Sequence, residues 1–250
     1  MKSHTTAIKT ILFAISIFVL NACGDDSTPQ ISNQNDSAKE SNTQVTTNKN
    51  VSSSNPVNQP VQQPEAVQQA RYTVLENPIP VTSGDNIEVR ELFWYGCGHC
   101  FALEPFVKSW VESKTDNSEF IKTPAIFSAS WAFHGKAFYT MEALGVLEQA
   151  NDAFFHQIHV SRKPINNLKS LVDFLASYDK SEEQVTSAFY SFAVDTKLRN
   201  ATNLTKQSTA TGVPAILVDG KYLTSVSQAG GQSELFAVID ELIIKAASER

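Results

Sequence analysis

Phe93-Trp94-Tyr95-Gly96-Cys97-Gly98-His99-Cys100 decides how the rest of the 250-residue chain is read. A strand-like apolar run stops at Gly96, and two cysteines open what reads as a helix. The chain has 3 cysteines, and Cys97 and Cys100 are among them. A bridge between cysteines this close closes a tiny loop. Because disulfide stabilisation grows with the loop closed, it would constrain the unfolded chain little. The pair therefore reads as reactive rather than structural. At the first turn of a helix, Cys97 meets unpaired backbone N–H groups and the positive end of the helix dipole, and both favour the thiolate. His99 adds a donor or positive charge beside that sulfur, and cysteines in such settings have pKa values of roughly 3.5 to 7.5. Cys100, one turn on, reads as the more buried partner that attacks a mixed disulfide formed at Cys97. A stabilised thiolate stabilises the reduced form, which makes the disulfide the stronger oxidant.

The net charge of −6 and pI of about 5.4 argue against nucleic acid as a main partner and offer no basic patch for anionic lipid headgroups. Residues 1–22 read as a signal peptide. Lys2 and Lys9 give the positive start, and Ile11 to Leu20 form an apolar core too short to span a bilayer. Leu20-Asn21-Ala22-Cys23 follows and resembles the bacterial lipobox, which makes Cys23 the expected lipidation site; the alternative is a plain signal peptide with Cys23 incidental. Lipidation also leaves no odd thiol in an oxidising compartment. Residues 24–70 lack aromatic residues and are mostly Ser, Asn, Gln, Thr, Pro and Val. Such a segment buries too little apolar surface to offset its ordering entropy. Residues 23–70 are therefore expected to be a disordered tether with a reach of roughly 35 to 40 Å.

The folded part starts near Arg71. Tyr72–Leu75 and Ile87–Tyr95 read as strands, with Ser83-Gly84-Asp85-Asn86 as the turn before the second. Phe101 to Val111 has helical apolar spacing, with Pro105 placed to kink it, and Glu119–Thr123 reads as a further strand. Strand, cysteine pair, helix and strand make a βαβ unit. Helices alone are expected from 128 to 207. One spans Gly135–Glu148, and Asn151 caps a short piece through Ile158. Another spans Asn167–Ser177, a Ser181/Gln184 capping box opens the next, and a last one runs through Val194 and Leu204. Trp131 and His134, just inside this region, read as a core aromatic and a capping histidine. Asp219-Gly220 between two β-prone runs signals a hairpin, and Leu235, Val238, Ile239, Leu242 and Ile243 stripe a final helix.

The Trp-Tyr-Gly-Cys-x-His-Cys run, a proline eight residues after the first cysteine, a helical insertion and a late Gly212-Val213-Pro214 before a hairpin together resemble the DsbA-type thiol-disulfide oxidoreductases of the thioredoxin fold. The resemblance covers about residues 71–250. It implies an α/β thioredoxin fold with an inserted all-helical subdomain, divided as 71–127, 128–207 and 208–250. It further implies Cys97 as nucleophile and Cys100 as resolving cysteine. Val213-Pro214 matches the family's cis-proline loop, where the Val213 backbone binds substrate peptide as an added strand. Glu91 matches a buried acidic residue that influences the pair and passes protons, and Lys122 is a candidate for its basic partner. The family's usual dipeptide between the cysteines is Pro-His, whereas this chain has Gly98-His99, as in protein disulfide isomerases.

The expected function is that of a lipoprotein in the bacterial periplasm, anchored to the membrane by its lipid. As a monomer it donates the Cys97–Cys100 disulfide to folding secreted proteins and is reoxidised by a DsbB-like membrane oxidase. No cofactor beyond that disulfide and no metal is expected. A reductase or isomerase held reduced is the neighbouring alternative. Two alternatives lie outside this chemistry. One is a metal-binding module using Cys97, Cys100, His156 and His159. The other is a tethered interaction protein on the same scaffold.

Overall fold

The computed structural model describes residues 70–250. The expected signal peptide, the Cys23 lipidation site and, apart from Ala70, the tether lie outside the described residues.

Strand β2, Ile87–Phe93, is buried along its whole length and forms the middle of the architecture. It pairs in parallel with β3, Ser118–Pro124, through α1, Gly98–Ser113, which completes the expected βαβ unit. Pro105 lies inside α1, and no break divides the helix there. On its other side β2 pairs antiparallel with β4, Ala215–Val218. Strand β5, Tyr222–Thr224, and the short β1, Thr73–Val74, complete a five-stranded sheet in the order β1-β5-β4-β2-β3. The β4–β5 turn has positive φ at both Asp219 (52°) and Gly220 (64°), the geometry the Asp-Gly dipeptide favours in a tight hairpin. Gly220 also packs closely: a Cβ there would lie 1.9 Å from the Ile79 carbonyl oxygen.

Five α-helices and a 3-10 turn at Ala176–Tyr178 lie between β3 and β4: α2 (Ala129–Ala143), α3 (Leu147–His159), α4 (Leu168–Leu175), α5 (Glu182–Phe189) and α6 (Phe192–Gln207). Capping boxes open α4 at Asn167/Ser170 and α5 at Ser181/Gln184. The sequence placed one helix over Gly135–Glu148, but the chain makes two. Gly145, at φ 70°, follows the end of α2, and α3 starts at Leu147. Asn151 therefore sits within α3 and caps nothing. Two more helices follow the hairpin, α7 (Val226–Ala229) and α8 (Gln232–Ser248). Leu235, Val238, Ile239, Leu242 and Ile243 form one buried stripe of α8 and share a core with Ile87, Val89, Leu103 and Val107. Each such side chain contributes about 1.5–3 kcal/mol of burial. A second core, built on Phe93, Tyr95, Phe138, Phe154 and Phe155, joins the sheet to the helical layer. No helix among the described residues is long and apolar enough to cross a membrane.

Candidate active site

The end of β2 delivers the cysteines. Cys97 is the N-cap of α1, where its sulfur accepts a hydrogen bond from the Cys100 backbone N–H at 3.4 Å. Cys97 is half-buried and Cys100 fully buried, and both are free thiols. The Cys97 thiol is lowered to about 5, first because the Cys100 thiol donates to it. Partial burial opposes this, while the Cys100 and His99 backbone N–H groups and the His99 charge add to it. Cys100 moves the opposite way, pushed far up by its role as donor to Cys97 and by burial. One sulfur is thus an accessible anion at neutral pH and the other a buried thiol.

The difference ultraviolet absorbance of reduced against oxidised protein at 240 nm should titrate with a midpoint near pH 5, the value reached by Cys97. A midpoint above pH 8, the range of a free thiol, would overturn that reading of the helix N-terminus. The depressed value also fixes the sign of the linkage. Stability from the Cys97 thiolate is fully present above the unfolded value of 9.0 and is lost as pH falls through about 5.

Opposite the sulfur stands the loop before β4. The Val213–Pro214 bond is cis, and Cys97 Sγ lies 3.5 Å from the Val213 carbonyl oxygen. The sheet explains the meeting: β2 and β4 are hydrogen-bonded neighbours in the register Leu92↔Ala215, so the end of one strand and the start of the other share one edge. A cleft of about 770 Å³ runs beside this contact, lined among others by His99, Leu103, Val213, Pro214, Thr224 and Gln228. His99 is solvent-exposed at its mouth.

Beneath the cysteines lies a buried charge cluster. The parallel register sets Glu91 beside Lys122, and the ammonium is 3.2 Å from Glu91 Oε2, at ion-pair distance but out of line for a hydrogen bond. Lys122 also bonds the Glu104 carboxylate from α1. Burial, opposed by Lys122 and reinforced by Glu104, pushes the Glu91 carboxyl above its ordinary value. On Lys122, burial is outweighed by the two carboxylates, and its value rises. The structure thus brings together the Glu91 and Lys122 named from the sequence and adds Glu104, which has no local signal beyond its place on α1.

Of the two aromatic residues read near the motif, Trp131 packs against the core around Leu92 and Ala215 as expected, whereas His134 does not cap. Trp131 is half-buried and stacks on Trp94 with ring centroids 4.3 Å apart and planes 7° from parallel. His134 caps no helix: it lies within α2, and its Nε2 is 3.0 Å from the Ile165 carbonyl oxygen. Gly96 is required by this packing, since a Cβ there would lie 2.3 Å from the Trp94 ring. The four residues of the metal-binding alternative do not come together. His159 Nε2 bonds the Tyr95 carbonyl at 2.8 Å and stacks on Phe101, while His156 is exposed. Among the described residues, no group of three or more His, Cys, Asp or Glu side chains is arranged to hold a metal ion.

Comparison with known proteins decides the kinship of this arrangement. A family model described as a DSBA-like thioredoxin domain matches residues 132–238, a span that includes Val213-Pro214 and begins beyond the cysteine pair. The thiol:disulfide interchange protein DsbA of Pseudomonas aeruginosa is 38% identical over 174 residues, covering 70% of this chain and 82% of that relative. The chain belongs to the DsbA family of thiol:disulfide oxidoreductases. DsbA of Bordetella pertussis is 31% identical over 188 residues, covering 75% of this chain and 88% of its own. The crystal structure of P. aeruginosa DsbA superimposes with a TM-score of 0.68 at 37% identity, covering 72% of this chain and 95% of that one. The DsbA fold, a thioredoxin-like α/β unit with a helical insertion, is therefore the fold of this chain.

Proposed function

We propose that this DsbA-family protein is a membrane-tethered periplasmic dithiol oxidase that passes its Cys97–Cys100 disulfide to secreted proteins as they fold. The observation that carries this reading is the asymmetry of the two sulfurs: an accessible thiolate at a helix N-terminus facing Val213, and a buried thiol behind it. In the oxidised protein a substrate thiolate attacks Cys97 Sγ. The Cys97–Cys100 bond breaks, a substrate–Cys97 mixed disulfide forms, and Cys100 leaves as a thiolate that takes up a proton. Glu91, buried with a raised pKa, is the proposed proton source, and Lys122 is its charge partner. A second substrate thiolate then attacks the substrate sulfur of the mixed disulfide and releases Cys97 as its thiolate. Two electrons have passed from the substrate to the cysteine pair, and a substrate disulfide has formed.

The Val213 backbone beside the cis proline is the proposed seat for the substrate strand, with His99 stabilising the Cys97 anion. The same pair, reduced, returns its two electrons to a quinone-linked membrane oxidase similar to DsbB. No cofactor beyond the disulfide enters this scheme. The chain is proposed to act as a monomer in the bacterial periplasm, held there by lipid on Cys23.

The equilibrium potential of the full chain in glutathione buffers tests the direction of electron flow. A value around −180 mV or less negative supports a disulfide donor, and a value near −270 mV moves the role to a reductase. Gly98 sharpens the measurement. It is the first residue of α1, where proline is favoured, and a Cβ there meets nothing within 4 Å. Gly98→Pro is therefore expected to fold normally and to move the potential towards the DsbA reference of about −120 mV. An unchanged potential would remove the dipeptide from the account of oxidising strength.

A further inference from the structure

The buried charges under the cysteines do not end at Glu104. Asn151, within α3, donates from Nδ2 to Glu104 Oε2 at 3.1 Å, and its Oδ1 accepts from the Tyr95 hydroxyl at 2.8 Å. Its Nδ2 also lies 3.5 Å from Asp152 Oδ1. Tyr95 is buried two residues before Cys97, and its hydroxyl has no other hydrogen-bond partner among the described residues. One side chain on the helical layer therefore joins the cysteine loop to the acid cluster.

We propose that Asn151 is a positioning residue: through its bond to the Glu104 carboxylate it fixes how the Lys122 ammonium is shared between Glu104 and Glu91. It thereby sets the charge held beneath the Cys97–Cys100 pair. The geometry leaves few other controls. Glu91 is fully buried and faces Lys122 from β3, Glu104 from α1 and the two cysteines. Glu104 sits nearer the surface, with Asp152 of α3 and Lys108 of its own helix nearby. Lys108 is occupied by Asp152 at 2.7 Å, so Asn151 is the neutral group that restrains the Glu104 carboxylate. Without that restraint the Glu104 carboxylate turns towards water and takes its negative charge away from Glu91. Lys122 is then left to Glu91 alone. Both changes favour the Glu91 anion, so they add rather than cancel.

This inference deepens the oxidase reading by naming what regulates its proposed proton donor, and its test does not depend on activity. The carboxyl of Glu91 is followed by carbon-13 NMR in the full chain with Cys97 and Cys100 oxidised, and its signal is assigned by its loss in Glu91→Gln. Removing Asn151 alone would strand the buried Tyr95 hydroxyl, so the informative variant is Tyr95→Phe/Asn151→Ala, which removes both partners. Its Glu91 midpoint is expected about one pH unit below that of the unaltered chain. Tyr95→Phe alone keeps the Asn151–Glu104 bond and is expected to leave the midpoint in place. An unchanged or raised midpoint in the double variant overturns the proposal, as does an equal fall in Tyr95→Phe. Oxidase activity, measured on the same samples, reports separately on the function: a chain inactive throughout would sink the oxidase reading while the Glu91 titration still decided the role of Asn151.

Discussion

Cys97→Ser is expected to abolish oxidation of a dithiol peptide completely, leaving only the rate of the peptide with the bulk oxidant. The serine hydroxyl keeps the shape of the site, but it forms no disulfide and so offers no bond to break. Cys100→Ser should behave differently. Cys97 remains at the N-cap of α1, and the serine at position 100 still supplies a hydroxyl donor where the Cys100 thiol donates. Cys97 thus stays a thiolate, but nothing inside the protein attacks the mixed disulfides it forms, and these should accumulate under oxidising conditions. Non-reducing electrophoresis after acid quenching reads both outcomes. Residual oxidase activity in Cys97→Ser, or no trapped species in Cys100→Ser, would show that the order of attack is wrong.

Lys122→Met should carry the largest cost in stability. The ammonium serves two carboxylates at once, and one of them, Glu91, is fully buried with no hydrogen-bond partner among the described residues and Lys122 as its ion-pair partner. Removing one side of a buried pair costs about 3–5 kcal/mol, because the remaining charge stays desolvated and unpaired. The sign with pH follows from the same residues. Glu91 already has a raised pKa, and loss of its cation raises it further, so the deficit is full only at pH above the variant's raised value, where the folded carboxyl is ionised in both chains. The deficit shrinks as pH falls and both carboxyls take up protons. Urea denaturation of Lys122→Met at pH 7 and pH 4 measures this directly. A deficit equal at the two pH values would mean that side-chain packing and the cation–π contact of the Lys122 ammonium, 4.8 Å above the Phe93 ring, matter more than its pairing with the carboxylates. Glu91→Gln in the Lys122→Met background should recover most of the loss.

Much of the site was legible because its signals are local. Two cysteines at a strand-to-helix junction, an acidic residue inside an apolar strand, and Val-Pro before a hairpin are each readable within a few positions. The structure gathers them because β2 lies between β3 and β4. Residues that join elements far apart in the chain left no such mark. Asn151 was read as a cap because Asn favours helix starts, yet its partners, Tyr95 and Glu104, are 56 and 47 positions away. Trp131 was assigned to the core on its hydrophobicity alone, and only the packing of α2 on the cysteine loop reveals its stack with Trp94. The single helix expected over Gly135–Glu148 failed because the apolar period continues past Gly145, while the backbone there takes a positive φ.

The adjacency of β2 and β4 also has a bearing on descent. Cys97 and Val213 stand 116 positions apart, yet the ladder Leu92↔Ala215 holds them on one floor without help from the helices between them. Topologically, α2 to α6 form a long loop, and doubling the length of such a loop costs only about 0.6 kcal/mol of closure entropy. The strand ladder therefore tolerates changes of length in the connection, whereas α2 and α3, which carry Trp131 onto Trp94 and Asn151 onto Glu104, are bound to the chemistry and must be inherited with it.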